Sequence, residues 1–333
     1  MMHIGLDIGT NYTKATADGS KVITFPSLVV YGEEKEWSLK GEAEREVYVG
    51  EEASYMAQNM ENVEVLRPLH EGRLMHSSYI ELAKHALEML NISDGKFVAT
   101  GLPVKSSKKE RAELVDELKN ALRCDVLLLP QPVGSMAHMD INTGVCIDIG
   151  FGTTDIIVLA DMEYLKGDTL LVGVDKIYES MEMTIRNRFG ITITPEEMTR
   201  LLSEESFRVG KVRGGKKIAV SREDVIDEYN QLMKSWVERI VNRVNMLLEG
   251  LSISLVENIV LTGGGAKLPG VEDQFREHFR EIGDIQIPDD PVTANARGFY
   301  KLAKLYAGEQ KSESKELEQK TEEETKKRGR RKK

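Results

Sequence analysis

Two stretches in opposite halves of the chain carry the same set of an acid, a glycine and hydroxyl groups. Leu6-Asp7-Ile8-Gly9-Thr10-Asn11-Tyr12-Thr13 aligns with Ile147-Asp148-Ile149-Gly150-Phe151-Gly152-Thr153-Thr154; each reads apolar residue, Asp-Ile-Gly, three residues, then Thr. Glycine in such a turn lets the backbone approach an anion without a Cβ in the way, and successive turn N–H groups form an anion-binding nest. Threonine hydroxyls add donors. An aspartate at the strand end would repel a phosphate directly, but it can hold a hydrated Mg2+, which keeps several waters and takes only one or two carboxylates. Two such hairpins face to face would grip a polyphosphate from both sides. Either motif alone reads as well as an ordinary Asp-Gly hairpin turn; the pair in register favours the phosphate. A third strand end, Ile259-Val260-Leu261-Thr262-Gly263-Gly264-Gly265-Ala266, runs into three glycines. Flat backbone of this kind suits close approach of a base or ribose, although alone it is a weak signal.

These turns need buried strands to hold them. Strands are expected over 2–8, 12–17 and 22–25, with a turn at Asp18-Gly19. The charged stretch from Glu33 to Glu46 reads as exposed loop or small-subdomain surface, and Tyr55 to Asn62 as a short helix. Apolar residues at 79, 80, 82, 83, 86, 87 and 90 predict an amphipathic helix from His76 to Leu90. A strand over 97–103, a helix over 108–122 and a strand over 126–129 follow. The pattern then restarts with strands at 145–149 and 154–159 and helices at 175–189 and 195–202. A hairpin within 207–220, a long helix over 223–250, a strand at 258–262 and a last helix at 296–306 complete it.

The 333 residues suffice for two domains, each with its own core. A net charge of -10 argues against broad nucleic-acid binding by the whole surface. The two cysteines, Cys124 and Cys146, lie in apolar surroundings and support neither a disulfide framework nor a zinc site. They read as small buried hydrophobes. The chain enters a strand at once, and no apolar run approaches the roughly 18 residues of a membrane span. A cytoplasmic protein is expected.

Together these residues resemble the actin/Hsp70/sugar-kinase ATPase superfamily. Its five signature segments occur in order: a first phosphate loop at Leu6–Lys14, a connecting helix from Gln131, a second phosphate loop at Ile147–Asp155, an adenosine segment at Leu261–Gly270, and a second connecting helix at Thr293–Gly298. Within it the chain is most similar to plasmid-segregation actins of the ParM and Alp type and their archaeal relatives. Phe25-Pro26-Ser27, Val49-Gly50-Glu51-Glu52-Ala53, Thr100-Gly101-Leu102-Pro103-Val104 and Leu129-Pro130-Gln131-Pro132-Val133-Gly134 carry that similarity, with the second phosphate loop. It spans about residues 2–306.

The resemblance implies an α/β chain of the actin/Hsp70-like ATPase fold, two related domains flanking a nucleotide cleft. Residues 1–141 with 292–306 would form domain I, with a small insert at about 26–66. Residues 142–291 would form domain II, with an insert at about 175–256, and 307–333 a disordered charged tail. ATP and Mg2+ are the implied cofactors. Asp7 and Asp148 match ligands of metal-bound water. Thr10, Asn11 and Lys14 match the first phosphate clasp, with Lys14 its positive charge; Gly150, Gly152, Thr153 and Thr154 match the second; Gly263, Gly264 and Gly265 match the adenosine contact. Gln131 falls where the family orients the attacking water, a positioning role open to an amide that is a poor base. Phe151 stands where actin has a polar residue. The ribose and base contacts do not align, and Glu204, Glu205, Arg208 and Lys211 are candidates by position. The implied activity is slow Mg-dependent ATP hydrolysis coupled to assembly into filaments, for plasmid or DNA segregation. The partners would be other copies of the chain and a DNA-bound adaptor protein, with DNA reached indirectly and no membrane.

Other readings share the fold. A small-molecule kinase would need a sugar-binding Asp base, and none is evident. A chaperone would need a substrate domain after the ATPase. A membrane-associated or cell-shape actin would attach through an amphipathic terminus or apolar insertion, and neither terminus has one. From Glu309 to Lys333 the sole large apolar residue is Leu317, so burial cannot offset the entropy of ordering. Seven of the last eight residues are Lys or Arg, which reads as a solubilising tail or as a salt-sensitive arm for DNA or for acidic neighbouring subunits.

Overall fold

The two halves of the chain build two five-stranded sheets with one connectivity. A computed structural model describes residues 2–32, 46–60, 63–70, 73–93 and 95–308; the expectations for 33–45 and for the tail from 309 onward lie outside them. The first half runs β1 (Met2–Ile8), β2 (Tyr12–Thr16), β3 (Ile23–Pro26), β4 (Val29–Tyr31), β5 (Val47–Val49), α1 (Glu51–Asn59), β6 (Glu64–Leu66), β7 (Leu69–His70), β8 (Arg73–Leu74), α2 (His76–Met89), β9 (Lys96–Leu102), α3 (Lys108–Leu122), β10 (Asp125–Pro130) and α4 (Gln131–His138). The second runs β11 (Gly144–Ile149), β12 (Thr154–Ala160), β13 (Glu163–Leu170), α5 (Val174–Phe189), α6 (Pro195–Ser203), β14 (Arg208–Arg213), β15 (Lys216–Ser221), α7 (Ile226–Leu248), β16 (Asn258–Thr262), α8 (Val271–Phe279) and β17 (Asp284–Gln286). A last helix, α9, covers 294–308.

The sheet orders are β10-β9-β1-β2-β3 and β13-β12-β11-β16-β17. In each, the central strand pairs antiparallel with the next strand in the chain and parallel with a later one. The repeated sequence motif therefore marks a repeated fold. The central strands read as apolar runs because both of their faces are covered: Ile4, Leu6, Ile8, Val145, Ile147 and Ile149 are fully buried.

Two helices occupy the seam. α4 packs Val133 and Met136 against Cys146, Ile157 and Val260 of the second sheet. α9 lays Phe299, Ala303 and Ala307 on Phe97 and Ala99 of the first. They cross at glycines, where a Cβ on Gly298 would lie 1.6 Å from the Gly134 carbonyl oxygen. Full burial of one large side chain such as Phe299 stabilises this seam by roughly 1.5–3 kcal/mol.

Several elements differ from the sequence expectation. The helix expected at 55–62 is α1, which begins at Glu51. Gly50 turns the chain with φ 67°, and Glu51 and Glu52 occupy the first turn, where the helix dipole favours acids. β13 and α8 were not expected. β13 is an edge strand with no clean alternation, and its pairing shifts register at Val158/Leu159. α8 buries only Val271, Phe275 and Phe279 along one narrow stripe. Among the described residues, no helix is long and apolar enough to cross a membrane.

Candidate functional site

The strand ends that carry the repeated turns meet around one cavity of about 470 Å³. Asp7, Thr10, Asn11 and Lys14 line it from the first turn, and Asp148, Gly150 and Thr153 from the second. Gln131 and Asn295 reach it from the starts of α4 and α9, and Gly263 and Gly264 from the end of β16.

Gly152, Thr154 and Gly265 are not part of the cavity lining. Thr154 is fully buried and its hydroxyl donates to the Val172 carbonyl oxygen at 2.6 Å. A Cβ on Gly152 would sit 3.4 Å from the Thr10 side chain, and one on Gly265 would sit 2.2 Å from Ile149. Gly265 thus lets its segment close on Ile149, while at Gly152 a Cβ would make only ordinary contact. Gly263 has φ +83°, and a Cβ there would meet the Ile149 carbonyl oxygen at 2.4 Å and Asp148 Oδ1 at 2.5 Å.

Strand register decides the charges. Lys14 on β2 sits opposite Asp7, whereas Asp155 on β12 sits opposite Asp148. Lys14 Nζ donates to Asp7 Oδ2 at 3.1 Å. Asp148 instead accepts from Asn295 Nδ2 at 2.7 Å. Asn295 Oδ1 accepts in turn from the Ser135 amide and hydroxyl at 3.0 and 2.7 Å, which fixes the amide's orientation. Burial pushes the Asp148 carboxyl up to about 7; Asn295 opposes this, while Asp7 and Asp155 push it further. Burial likewise raises Asp155 to about 6, against hydrogen bonds from Thr169, the Val104 N–H and Thr153.

Gln131 is held at both ends of one group. Its Nε2 donates to the Ile8 carbonyl oxygen at 3.3 Å and to Asp7 Oδ1 at 3.5 Å. That leaves Oε1 as the acceptor this cavity-lining side chain can offer a water.

One wall of the cavity escaped the sequence reading. Glu196, Thr199 and Ser203, spaced i, i+3 and i+7 on one face of α6, line it beside Lys267, Leu268 and Pro269 of the expected adenosine segment. α6 is fixed by a capping box between Thr194 and Glu197, with Pro195 in its first turn. The earlier candidates are corrected: Glu204, Glu205, Arg208 and Lys211 lie past this face. Glu204 pairs with Arg200, Glu205 with Arg222 and Lys211 with Glu197, while Arg208 belongs to the β14–β15 hairpin. The signal that would have found the correct face is the capping box followed by polar residues at helical spacing.

Among the described residues, no group of three or more His, Cys, Asp or Glu is placed to hold a metal ion by itself. The donors on hand, two buried carboxylates flanked by amides, fit a hard cation that keeps most of its waters.

A family model described as "MreB/Mbl protein" matches residues 1–311. The actin-like protein MamK of Paramagnetospirillum magneticum is 25% identical, over 91% of this chain and 92% of its own. The cell shape-determining protein MreB of Escherichia coli K12 is 24% identical, over 89% and 91%. Among solved structures, MreB5 of Spiroplasma citri bound to ADP superposes with a TM-score of 0.73 at 20% identity, covering 91% of this chain and 96% of that one. The MamK double helical filament superposes at 0.74 and 21% identity, covering 91% and 98%. These likenesses show the actin-like fold.

Proposed function

The chain belongs to the MreB/Mbl protein family, and from that premise we propose that it is an ATPase that binds Mg-ATP in its central cavity and assembles into filaments. The observation that carries the reading is the two-sided cavity, in which matching turns from both sheets present glycine backbone, hydroxyls and a strand-end aspartate. ADP in MreB5 and the MamK filament support it from similar proteins.

In this reading the turn N–H groups and the hydroxyls of Thr10 and Thr153 bind the phosphates, and Lys14 adds a positive charge. Asp7 and Asp148 would hold a hydrated Mg2+, whose charge would offset that of the transferring phosphoryl group. Gln131, pinned through Nε2, presents Oε1 to orient the attacking water; it positions rather than deprotonates. Glu196 and Ser203 suit ribose hydroxyls, and Leu268 and Pro269 suit a base. Subunits of this fold joined head to tail make heterologous contacts that propagate without closing.

For the cargo we infer DNA, carried through an adaptor protein, on the resemblance of the 129–134 and phosphate-loop segments to plasmid-segregation actins; the basic run from Lys326 to Lys333 would add a salt-sensitive contact. A second reading, a cell-shape filament, is favoured by the equally similar MreB relatives. Light scattering separates the filament reading from a kinase of the same fold. Scattering should rise on adding Mg-ATP and fall as ATP is consumed; a flat trace alongside phosphorylation of a small acceptor would reverse the assignment. Retention of plasmid DNA by the filaments with a candidate adaptor, against none without it, separates the cargo readings.

A further inference from the structure

The second phosphate turn is tied by hydrogen bonds to the other half of the molecule. Val104 and Lys105 follow β9 in the first half, yet both of their backbone N–H groups are captured by the second. Val104 N–H donates to Asp155 Oδ1 at 2.8 Å, and Lys105 N–H donates to Thr169 Oγ1 at 3.1 Å. Thr169 Oγ1 donates onward to the same Asp155 oxygen at 2.5 Å. The other oxygen, Oδ2, accepts from Thr153 Oγ1 at 3.4 Å, and Thr153 lines the cavity. An unbroken chain of polar contacts therefore runs from the phosphate turn through Asp155 to the backbone of the segment after β9.

A second set of contacts lies beside the first. Asp168 on β13 accepts from Lys105 Nζ at 3.2 Å and from the Arg243 guanidinium of α7. Asp168 is 6% exposed. Burial alone would raise its carboxyl, but the bonds from Arg243 and Lys105 hold it below the usual range. Val104 itself seats against Gly167, where a Cβ would lie 2.7 Å from Val104 Cγ1. Hydrogen bonds of this kind are directional and weaken steeply once stretched. A join made of such bonds responds to small displacements.

We propose that Asp155, Thr169, Asp168 and Lys105 form a clasp through which occupancy of the second phosphate turn sets how firmly the two halves are seated on each other. The proposal rests on the nucleotide reading above. When a phosphate engages Thr153, the hydroxyl leaves Asp155 Oδ2, already its longest contact. The buried carboxylate then depends more heavily on the Val104 N–H and Thr169, and the clasp tightens. Asp155 and Thr169 are positioning residues here, acting on the seating of Val104 and Lys105. The two sites coupled are the phosphate turn and the segment after β9.

Hydrogen exchange of residues 104–107 tests this on the full chain, with and without Mg2+ and a non-hydrolysable ATP analogue, while calorimetry measures binding of the same analogue. In the parent protein the analogue should slow exchange at Val104 and Lys105 by about tenfold. Thr169→Val keeps the shape and removes the hydroxyl; it should bind the analogue within about threefold of the parent and lose most of the slowing. Lys105→Ala alters an exposed side chain and keeps both backbone bonds, so it should lose part of the slowing and keeps the test open if Thr169→Val does not fold. Full slowing in both variants would overturn the clasp. So would a parent protein that binds the analogue with no change at these two amides. A parent that fails to bind the analogue at all would overturn the nucleotide reading, and the coupling with it, and the calorimetry reports that outcome separately.

Discussion

The two repeats share strand order, turn and aspartate but settle their charges in opposite ways. In the first, the neighbouring strand places Lys14 against Asp7 at 3.1 Å. In the second, the equivalent position is Asp155, so Asp148 faces another acid and leans on the neutral amide of Asn295. A duplicated backbone thus fixes where the two turns meet, while one residue on the adjoining strand decides whether a half is electrostatically complete. The first half is complete alone. The second holds two carboxyls raised by burial to about 7 and about 6, which a bound cation or a proton would relieve.

The largest expected effects break the symmetry directly. Asp7→Ala and Asp148→Ala should each lower Mg-dependent phosphate release by on the order of 100-fold or more, since both halves are needed to hold the metal's waters. Without nucleotide the two positions should part company. At pH 8, Asp148→Asn should raise the melting temperature by a few degrees, roughly 1 kcal/mol, because it removes a buried charge that lacks an ion partner. Asp7→Asn should lower it, because Lys14 loses its partner. Equal shifts of the same sign in calorimetric melts would erase the distinction.

Gln131 hydrogen-bonds to the first half, through Asp7 and Ile8. Gln131→Ala should slow single-turnover hydrolysis by about 10–100-fold while ATP affinity stays within about threefold. Filaments of that variant should persist longer after assembly. Equal losses in binding and turnover would make the residue structural.

The pH response belongs to the second half. The folded-state values of Asp148 and Asp155 lie above the ordinary carboxylate value of about 3.9. Between about pH 4 and pH 7 the folded protein holds protons that the unfolded chain has released, so the contribution of these groups to stability rises as pH falls through that window. Nucleotide-free protein should melt higher at pH 6 than at pH 8, and Asp148→Asn should flatten the difference. The wall of α6 gives a smaller contrast: Glu196→Gln should raise the KM for ATP by about tenfold or less, the loss of one charged hydrogen bond, while Glu204→Gln should leave it unchanged. Deleting residues 309–333 should change nucleotide affinity least of all. Its expected effect is on salt-sensitive filament bundling and DNA retention.

The repeat was legible because its signal is chemical and local: Asp-Ile-Gly at the end of an apolar strand reads the same in both halves. The helices with broad apolar faces, α2 and α7, were legible for the same kind of reason, as periodicity needs no partner. β13 was not, because Glu163–Leu170 becomes a strand only by pairing with β12, and its Lys, Gly and Asp obscure any alternation. At the site, strand-end aspartates and Gln131 could be named from motifs. Thr154 could not be told from Thr153 by type, and only the fold turns one hydroxyl inward to Val172 while the other faces the cavity. Glu196 and Ser203 were missed because a helix face matters only once the opposing wall is in place.

The central claim is that both turns grip one polyphosphate. Calorimetric titration of the full chain with Mg-ATP and with AMP tests it most directly. If both turns converge on the phosphates, Mg-ATP should bind at least about 100-fold more tightly than AMP, since AMP forgoes several charge-assisted hydrogen bonds. Equal affinity for the two would show that the turns do not share a phosphate chain and would contradict the account.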